Sequence, residues 1–363
     1  MQALPSTLTD PVFIKPRNYN RLDNFFIHFI RDERDLPFIY FTISVILFLI
    51  PYAVLLFSHL LAGWYWLAAA IFYMIINAAL FIGRFALMFH STAHRTLFKK
   101  QYNYLNYILP YVIAPFFGHM ADTYYAHHIG MHHPENNLED DESSTMDYQR
   151  DSLRSFLLYL TKFMMTGIYN LAAYFKKRNR RKLMYSAIRG EILFICVSVV
   201  LCCFNWPATF CVFIFTYFFY RLIAMLGNWS QHAFIDAADP GNPYKNSMTC
   251  INSKYNWQCW NDGYHISHHL KPTMHWTEHP AYFQKTVDNY IINNAVVFSK
   301  IDIMLVAVLL LAKRYDLLAR NFVNMGNRFN SEEAVVAFLK ERTARIPKES
   351  LPASGENRMH LLY

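Results

Sequence analysis

The sequence predicts an all-α integral membrane fold: four transmembrane helices in two hairpins, with a cytoplasmic helical cap holding a di-metal site. Three observations predict it. Long uncharged apolar runs alternate with wet stretches, histidines gather in clusters beside those runs, and Lys and Arg avoid the two putative tips at 58–63 and 205–207. Interspersed wet segments and basic residues confined to one side are what multi-span chains require.

Composition agrees. Of 363 residues, 54% are hydrophobic and 17% aromatic, but only 17% are charged, where soluble domains carry about a quarter. Mean hydropathy is only +0.09, which fits spans separated by a substantial wet portion. The formal charge of +8 suits anionic lipid head groups or an acidic partner protein. No nucleic acid is expected as a partner, because the basic residues border apolar runs and no recognised nucleic-acid motif accompanies them. Cys196, Cys202, Cys203 and Cys211 sit inside apolar runs as small hydrophobes. Cys250 and Cys259 form no Cys-x-x-Cys pair, which argues against a disulfide framework or a zinc knuckle.

Residues 1–37 are polar and charged. They read as a cytoplasmic N-terminal segment without a cleavable leader, so the first apolar run is a permanent anchor. Residues 38–57 run for twenty residues without charge, enough for a ~30 Å hydrocarbon core. Residues 64–89 follow a short turn, interrupted by Asn77 and Arg84, and the two runs form the first hairpin. Residues 107–118 are apolar but short and contain Pro110 and Pro115, which favours a re-entrant or interfacial piece. Residues 192–220 hold no charge over 29 positions, too long for one span. Asn205-Trp206-Pro207 supplies a turn, giving helices over about 186–204 and 208–227 and closing a membrane domain at 38–285. The last segment, 286–363, is a C-terminal helical portion and tail. It carries a short buried or interfacial helix at 303–312 and a helix capped by Ser331.

Parity follows from this layout. Two crossings return the chain to its starting side, so clusters before and after the second hairpin can meet at one cytoplasmic site. The clusters are His90 and His94; His127, His128, His132 and His133; and His265, His268 and His269, with Asn228 and His232 between the last two. Spacings of three and four put rings on one helical face. Nine imidazoles, with Asn228 as a weaker amide position, exceed one tetrahedral zinc and suit two iron ions with open positions for oxygen.

These residues resemble the membrane fatty acid desaturase and hydroxylase superfamily, whose pattern is H-x(3–4)-H, H-x(2–3)-H-H and [H/Q]-x(2–3)-H-H. The resemblance runs from about residue 38 to 280. Its third cluster, Gly263-Tyr264-His265-Ile266-Ser267-His268-His269 followed by Pro272, is close to the family's Tyr-His-x-x-His-His and Pro. Asn228-x-x-x-His232 is similar to the extra Asn/His contribution of acyl desaturases. The second cluster departs from the pattern: three residues separate His128 from His132, a spacing similar to that of alkane hydroxylase relatives. It leaves His127 and His128 both open as the ligand, and desaturation and hydroxylation both open as the outcome.

The resemblance implies two iron ions ligated by His90, His94, His128, His132, His133, Asn228, His232, His265, His268 and His269, with no catalytic residue beyond them. It implies O2 as cosubstrate, an external electron donor and a fatty-acyl substrate that acquires a double bond. The alternative is hydroxylation of an alkyl, fatty acid, sterol or carotenoid substrate. No His-Pro-Gly-Gly signature of a fused cytochrome b5 occurs, so the donor is a separate protein of cytochrome b5, ferredoxin or rubredoxin type. The expected location is a multi-pass protein of the endoplasmic reticulum if eukaryotic, or of the inner membrane if bacterial, with its active site cytoplasmic. A metal or haem transporter is the non-enzyme alternative, but it needs ionisable ligands along a path within the spans, and haem takes only two axial histidines.

The remaining polar residues receive plainer readings. His28, His59, His119 and His360 lack partners at ligand spacing and read as ordinary. His275 and His279 are bracketed by Pro272 and Pro280 and are not counted as ligands. Asp122, Asp236 and Asp262 are candidate acceptors for ligand rings. Arg84 and Arg221 read as snorkelling cations rather than substrate contacts. The basic run 176–182 fits a topology anchor or a docking site for an acidic donor. The seven acidic residues of 135–151 fit a solvated loop, or more sharply a lid.

Overall fold

Among the described residues, three helical segments are long and apolar enough to cross a membrane: Glu33–Phe57, Gly63–His94 and Arg181–Gln231. The computed structural model describes residues 1–347. Outward-facing Leu47, Phe48, Phe72, Ile75, Ile195 and Val199 are exposed on these segments. Water penalises such a surface, whereas lipid solvates it. Inward-facing Val45, Tyr73, Phe85, Phe89, Phe117 and Val212 are fully buried in one shared core.

The first two segments lie antiparallel after a tight turn. Trp66 Nε1 donates to the Leu56 carbonyl at 3.0 Å, and Tyr52 Oη donates to that of Ala69 at 2.8 Å. The third segment is one stretch of 51 residues rather than two separately bounded helices. Its expected turn survives as a break at Asn205 (φ −156°, ψ 89°). Pro207 supplies no N–H there, and Asn205 Oδ1 accepts instead from the Ala208 amide at 3.1 Å. Asn205 Nδ2 also reaches the Leu56 carbonyl at 3.4 Å, so this break meets the tip of the first pair.

Between the segments, 107–118 is short, as its prolines dictate: a π turn Leu109–Ile113 and a 3-10 turn Ala114–Phe117. The chain then reverses at Gly118 (φ +68°), where a Cβ would fall 2.3 Å from the Tyr217 backbone. Helix Ala121–His127 follows and packs against the third segment at Gly190. A Cβ at Gly190 would meet Thr123 Oγ1 at 2.5 Å. This close approach fixes the height of the second histidine cluster.

One finding corrects the all-α expectation. Strands β1 (Met248–Ile251) and β2 (Val296–Ser299) pair in parallel, with Met248 opposite Val296. Both are wholly buried and tie the third cluster's approach to the C-terminal portion. A 25-residue helix, Leu153–Lys177, also runs through a stretch to which the sequence assigned no element. Arg154, Lys162, Lys176 and Lys177 dilute its apolar signal, while Phe156, Tyr159, Leu171 and Phe175 are buried beneath it. The expected short helix is Ile303–Leu311, packed on Phe215–Gln231. Ser331 caps Glu332–Arg342 as expected, accepting from the Ala334 amide at 3.3 Å.

Candidate metal centre

The nine imidazoles converge as two groups. His90, His94, His128, His133 and His268 form one, and His132, His232, His265 and His269 form the other; within each, ring nitrogens lie within 4.8 Å of one another. His90 and His94 come from the end of the second apolar segment, and His232 directly follows the third. His265, His268 and His269 share helix His265–Leu270, so successive turns feed both groups.

The second cluster divides between the groups through a local distortion. His128–His132 is a π turn, in which the His133 amide donates to the His128 carbonyl. An i→i+5 ring brings residues five apart onto one side, and His128 and His133 Nε2 lie 3.1 Å apart. His132 then turns to the other group. The same turn separates the two residues that the spacing left open: His128 joins the five-membered group, while His127 joins neither and its buried Nε2 has no partner among the described residues.

The close approaches are all between Nε2 atoms. They measure 2.9 Å for His90–His268, 3.1 Å for His94–His128 and His268–His133, 3.1 Å for His232–His265, and 3.0 Å for His265–His269. Imidazoles bind divalent metal at about 2.1 Å, so two rings at right angles on one ion stand about 3 Å apart. Burial, reinforced by neighbouring imidazoles, pushes His128, His133, His265, His268 and His269 well below the usual histidine range. Burial likewise pushes His232 down to about 4. Each Nε2 carries either one N–H or one lone pair, so His128, His133, His265 and His268, whose Nε2 atoms each have two ring neighbours near 3 Å, cannot bond well to both, whereas one cation in each group can take every lone pair. The donor set therefore fits two metal ions.

Partners behind the rings strengthen that fit in the four-membered group. His132 Nδ1 lies 2.7 Å from Asp141, and His232 Nδ1 lies 2.9 Å from the Asn246 carbonyl. A donated Nδ1–H leaves Nε2 as the lone pair. Asp141 is fully buried and also accepts from the Asn137 and Ser143 amides. Although burial opposes it, the His132 ring holds the Asp141 carboxyl well below its ordinary range. The acidic stretch is thus not simply a solvated loop; its centre is a structural anion. Spacing gave no signal for Asp141 or Asn246.

Of the three aspartates singled out from the sequence, only Asp262 stands beside a cluster residue, 3.7 Å from His90 Nδ1. Asp122 pairs with Arg189, and Asp236 with Arg342. Arg221 does not snorkel: it pairs with Glu191 at 2.7 Å. In the basic run, Arg178 binds Glu135 and Asp140, and Arg180 donates to the Gly130 carbonyl, so both brace the second cluster. His275 bonds Asp35 and Thr277, and His279 bonds Ser267. His28 meets Tyr102, His59 lies in the 58–62 turn, and His360 lies outside the described residues. Asn228 gives both amide hydrogens, to Ser143 O and Tyr159 Oη at 2.9 and 2.8 Å, leaving only Oδ1 for a further partner.

Both groups open on one cavity of ≈ 440 Å³, whose wall includes His90, His128, His132 and His265 with Asn228. Apolar side chains of Gly63–His94, Leu153–Lys177 and Phe215–Gln231 form much of the rest, including Leu87, Phe163, Ile168 and Met225. Such a space suits a flexible hydrocarbon.

Residues 66–298 match the family model described as Fatty acid desaturase. No curated protein and no solved structure gives a significant match to the chain.

Proposed function

The chain belongs to the fatty acid desaturase family, and on that premise we propose an O2-dependent di-iron membrane oxidoreductase that introduces a double bond into a fatty-acyl chain. One observation carries this reading: nine imidazoles gather in two groups, and His90 and His128 of one and His132 and His265 of the other line a single largely apolar cavity. Iron held there supplies the oxygen chemistry that breaks an unactivated C–H bond. His90, His94, His128, His133 and His268 would hold one ion. His132, His232, His265 and His269 would hold the other, with Asn228 Oδ1 as a weaker ligand.

The chain's own residues do the rest. Asp141 and the Asn246 carbonyl fix two rings in the tautomer that points Nε2 at the metal. The cavity wall would exclude water and hold the acyl chain beside the rings. We read four crossings, with the Asn205 break as the second tip, and place the nine clustered histidines on the cytoplasmic side. Electrons then come from a separate cytochrome b5, ferredoxin or rubredoxin type protein. Hydroxylation is the second reading, favoured by the three-residue gap between His128 and His132.

The test is a lipid profile by mass spectrometry of cells expressing the chain. Loss of two hydrogens supports desaturation, and gain of one oxygen supports hydroxylation. His268→Ala should abolish either product while the protein still inserts in the membrane; retained turnover would overturn the assignment.

A further inference from the structure

A plain hydrocarbon needs only apolar walls, yet this cavity also contains a buried polar cluster. Arg221 Nη2 lies 2.7 Å from Glu191 Oε1, Tyr217 Oη lies 2.6 Å from Glu191 Oε2, and the guanidinium rests 3.5 Å above the Tyr217 ring. Glu191, Tyr217 and Arg221 all lie on the apolar Arg181–Gln231 segment and all line the cavity. Ionisable groups so placed are costly and mark functional positions more often than structural ones.

A second observation is independent of that pair. His119 lines the same cavity, is only 2% exposed, and its Nε2 has no hydrogen-bond partner among the described residues. Buried polar atoms are nearly always satisfied, by protein, water or ligand. The ring packs 3.8 Å from Tyr220 and 4.9 Å from Tyr124. Burial, then the Arg221 cation, pushes its pKa well below the usual range, so it offers one N–H and one lone pair.

We propose that His119 and the Glu191–Arg221 pair form a subsite for an uncharged oxygen function of the lipid substrate, a hydroxyl or an ester or amide carbonyl. The charge argument selects this class. Glu191 already neutralises Arg221, so a carboxylate would enter the cavity without a free counter-charge from this cluster. A neutral imidazole matches a hydroxyl or a carbonyl instead. The inference rests on the reading that the cavity receives a lipid.

Position gives the subsite a consequence for where the substrate reacts. Tyr124 stands between His119 and the metal centre, its ring stacked 5.1 Å from that of His128. Arg221 is seven residues before Asn228 on one helix, about 10 Å along its axis. An oxygen held at this subsite sets a fixed count of carbons to the rings, so the reacting carbon would be measured from that oxygen.

The test is equilibrium displacement of a fluorescent fatty probe from the full chain in detergent micelles, which needs no turnover. Hexadecanol should displace the probe roughly tenfold to a hundredfold more tightly than hexadecane or hexadecanoate, the gap expected when a site's polar group goes unpaired. His119→Phe should erase the preference, and His119→Gln, which keeps a donor and an acceptor, should retain most of it. Equal binding of the alcohol and the alkane by the wild type would overturn the proposal. So would tightest binding of the carboxylate, which would point to Arg84 on the same wall. A preference that persists in protein yielding no oxidised lipid would refute the enzymatic reading and leave this subsite standing.

Discussion

The two imidazole groups use one residue type but are held differently. In the four-membered group three rings are buried, and two bond directly from Nδ1 to Asp141 and the Asn246 carbonyl. In the five-membered group every ring is partly exposed, and the carboxylate beside His90 stands at 3.7 Å, beyond direct hydrogen-bond range. The difference teaches that one centre is anchored by the fold, whereas the other is held mainly by its own ligands. A tight centre and a more labile one follow.

The largest expected effect tests that anchoring. Asp141→Ala removes the acceptor that fixes His132 and leaves the Asn137 and Ser143 amides without their carboxylate. Metal affinity of the four-membered group should fall about 10- to 100-fold, seen as iron per chain dropping from two toward one. Asp262→Ala should cost much less, because its contact is long and Gln231 also holds it, at 3.1 Å. Equal losses in the two variants would break the comparison.

Chelation sharpens it without mutation. Iron should leave in two phases, the faster from the five-membered group. In Asp141→Ala the slow phase should merge with the fast one. A single phase in the wild type would mean that the two centres are equally held.

A smaller effect is expected where the backbone approaches the third cluster. A Cβ on Gly263 would lie 2.5 Å from both the Cys250 carbonyl and Asn256 Oδ1. Gly263→Ala must therefore displace the chain leading into His265, at a cost of about 1–3 kcal/mol. The thermal midpoint should drop, and the slow iron phase, which depends on His265 and His269, should accelerate more than the fast one.

What could be read from the sequence was local. Residues 38–57 declare themselves by length and absence of charge, 64–89 by length with Arg84 as its single charge, and His265-x-x-His268-His269 by spacing alone. The gathering of nine rings was expected from parity, since two further crossings would return the clusters to one side, and the rings do meet in two groups. What escaped depends on contacts between distant residues. Asp141 looks like its acidic neighbours until the fold buries it against His132, and His119 looks ordinary until Tyr220 and Arg221 close around it. The π turn at His128–His132 satisfies a spacing that a regular helix would not. The β1–β2 pair joins segments 45 residues or more apart, a distance over which four-residue strands leave no readable pattern.

The last and smallest effect concerns pH. His279 donates to or accepts from Ser267 Oγ at 2.6 Å, bracing the helix that carries His268 from below. Burial, then the nearby His90 and His275, lowers its pKa to about 3, against about 6.5 when unfolded. The unfolded chain therefore takes up this proton first as pH falls, so the stabilisation is full above about pH 6.5 and declines from there toward pH 3. One such ring contributes a slope of about 1.4 kcal/mol per pH unit within that window. Thermal midpoints of the metal-free chain should fall as the buffer is acidified from pH 6.5, and His279→Asn, which can keep the bond to Ser267, should flatten the slope. Because the brace supports the helix shared by both groups, His279→Ala, which removes it, should speed both iron phases alike; a selective effect on one would mean that His279 acts on that centre alone.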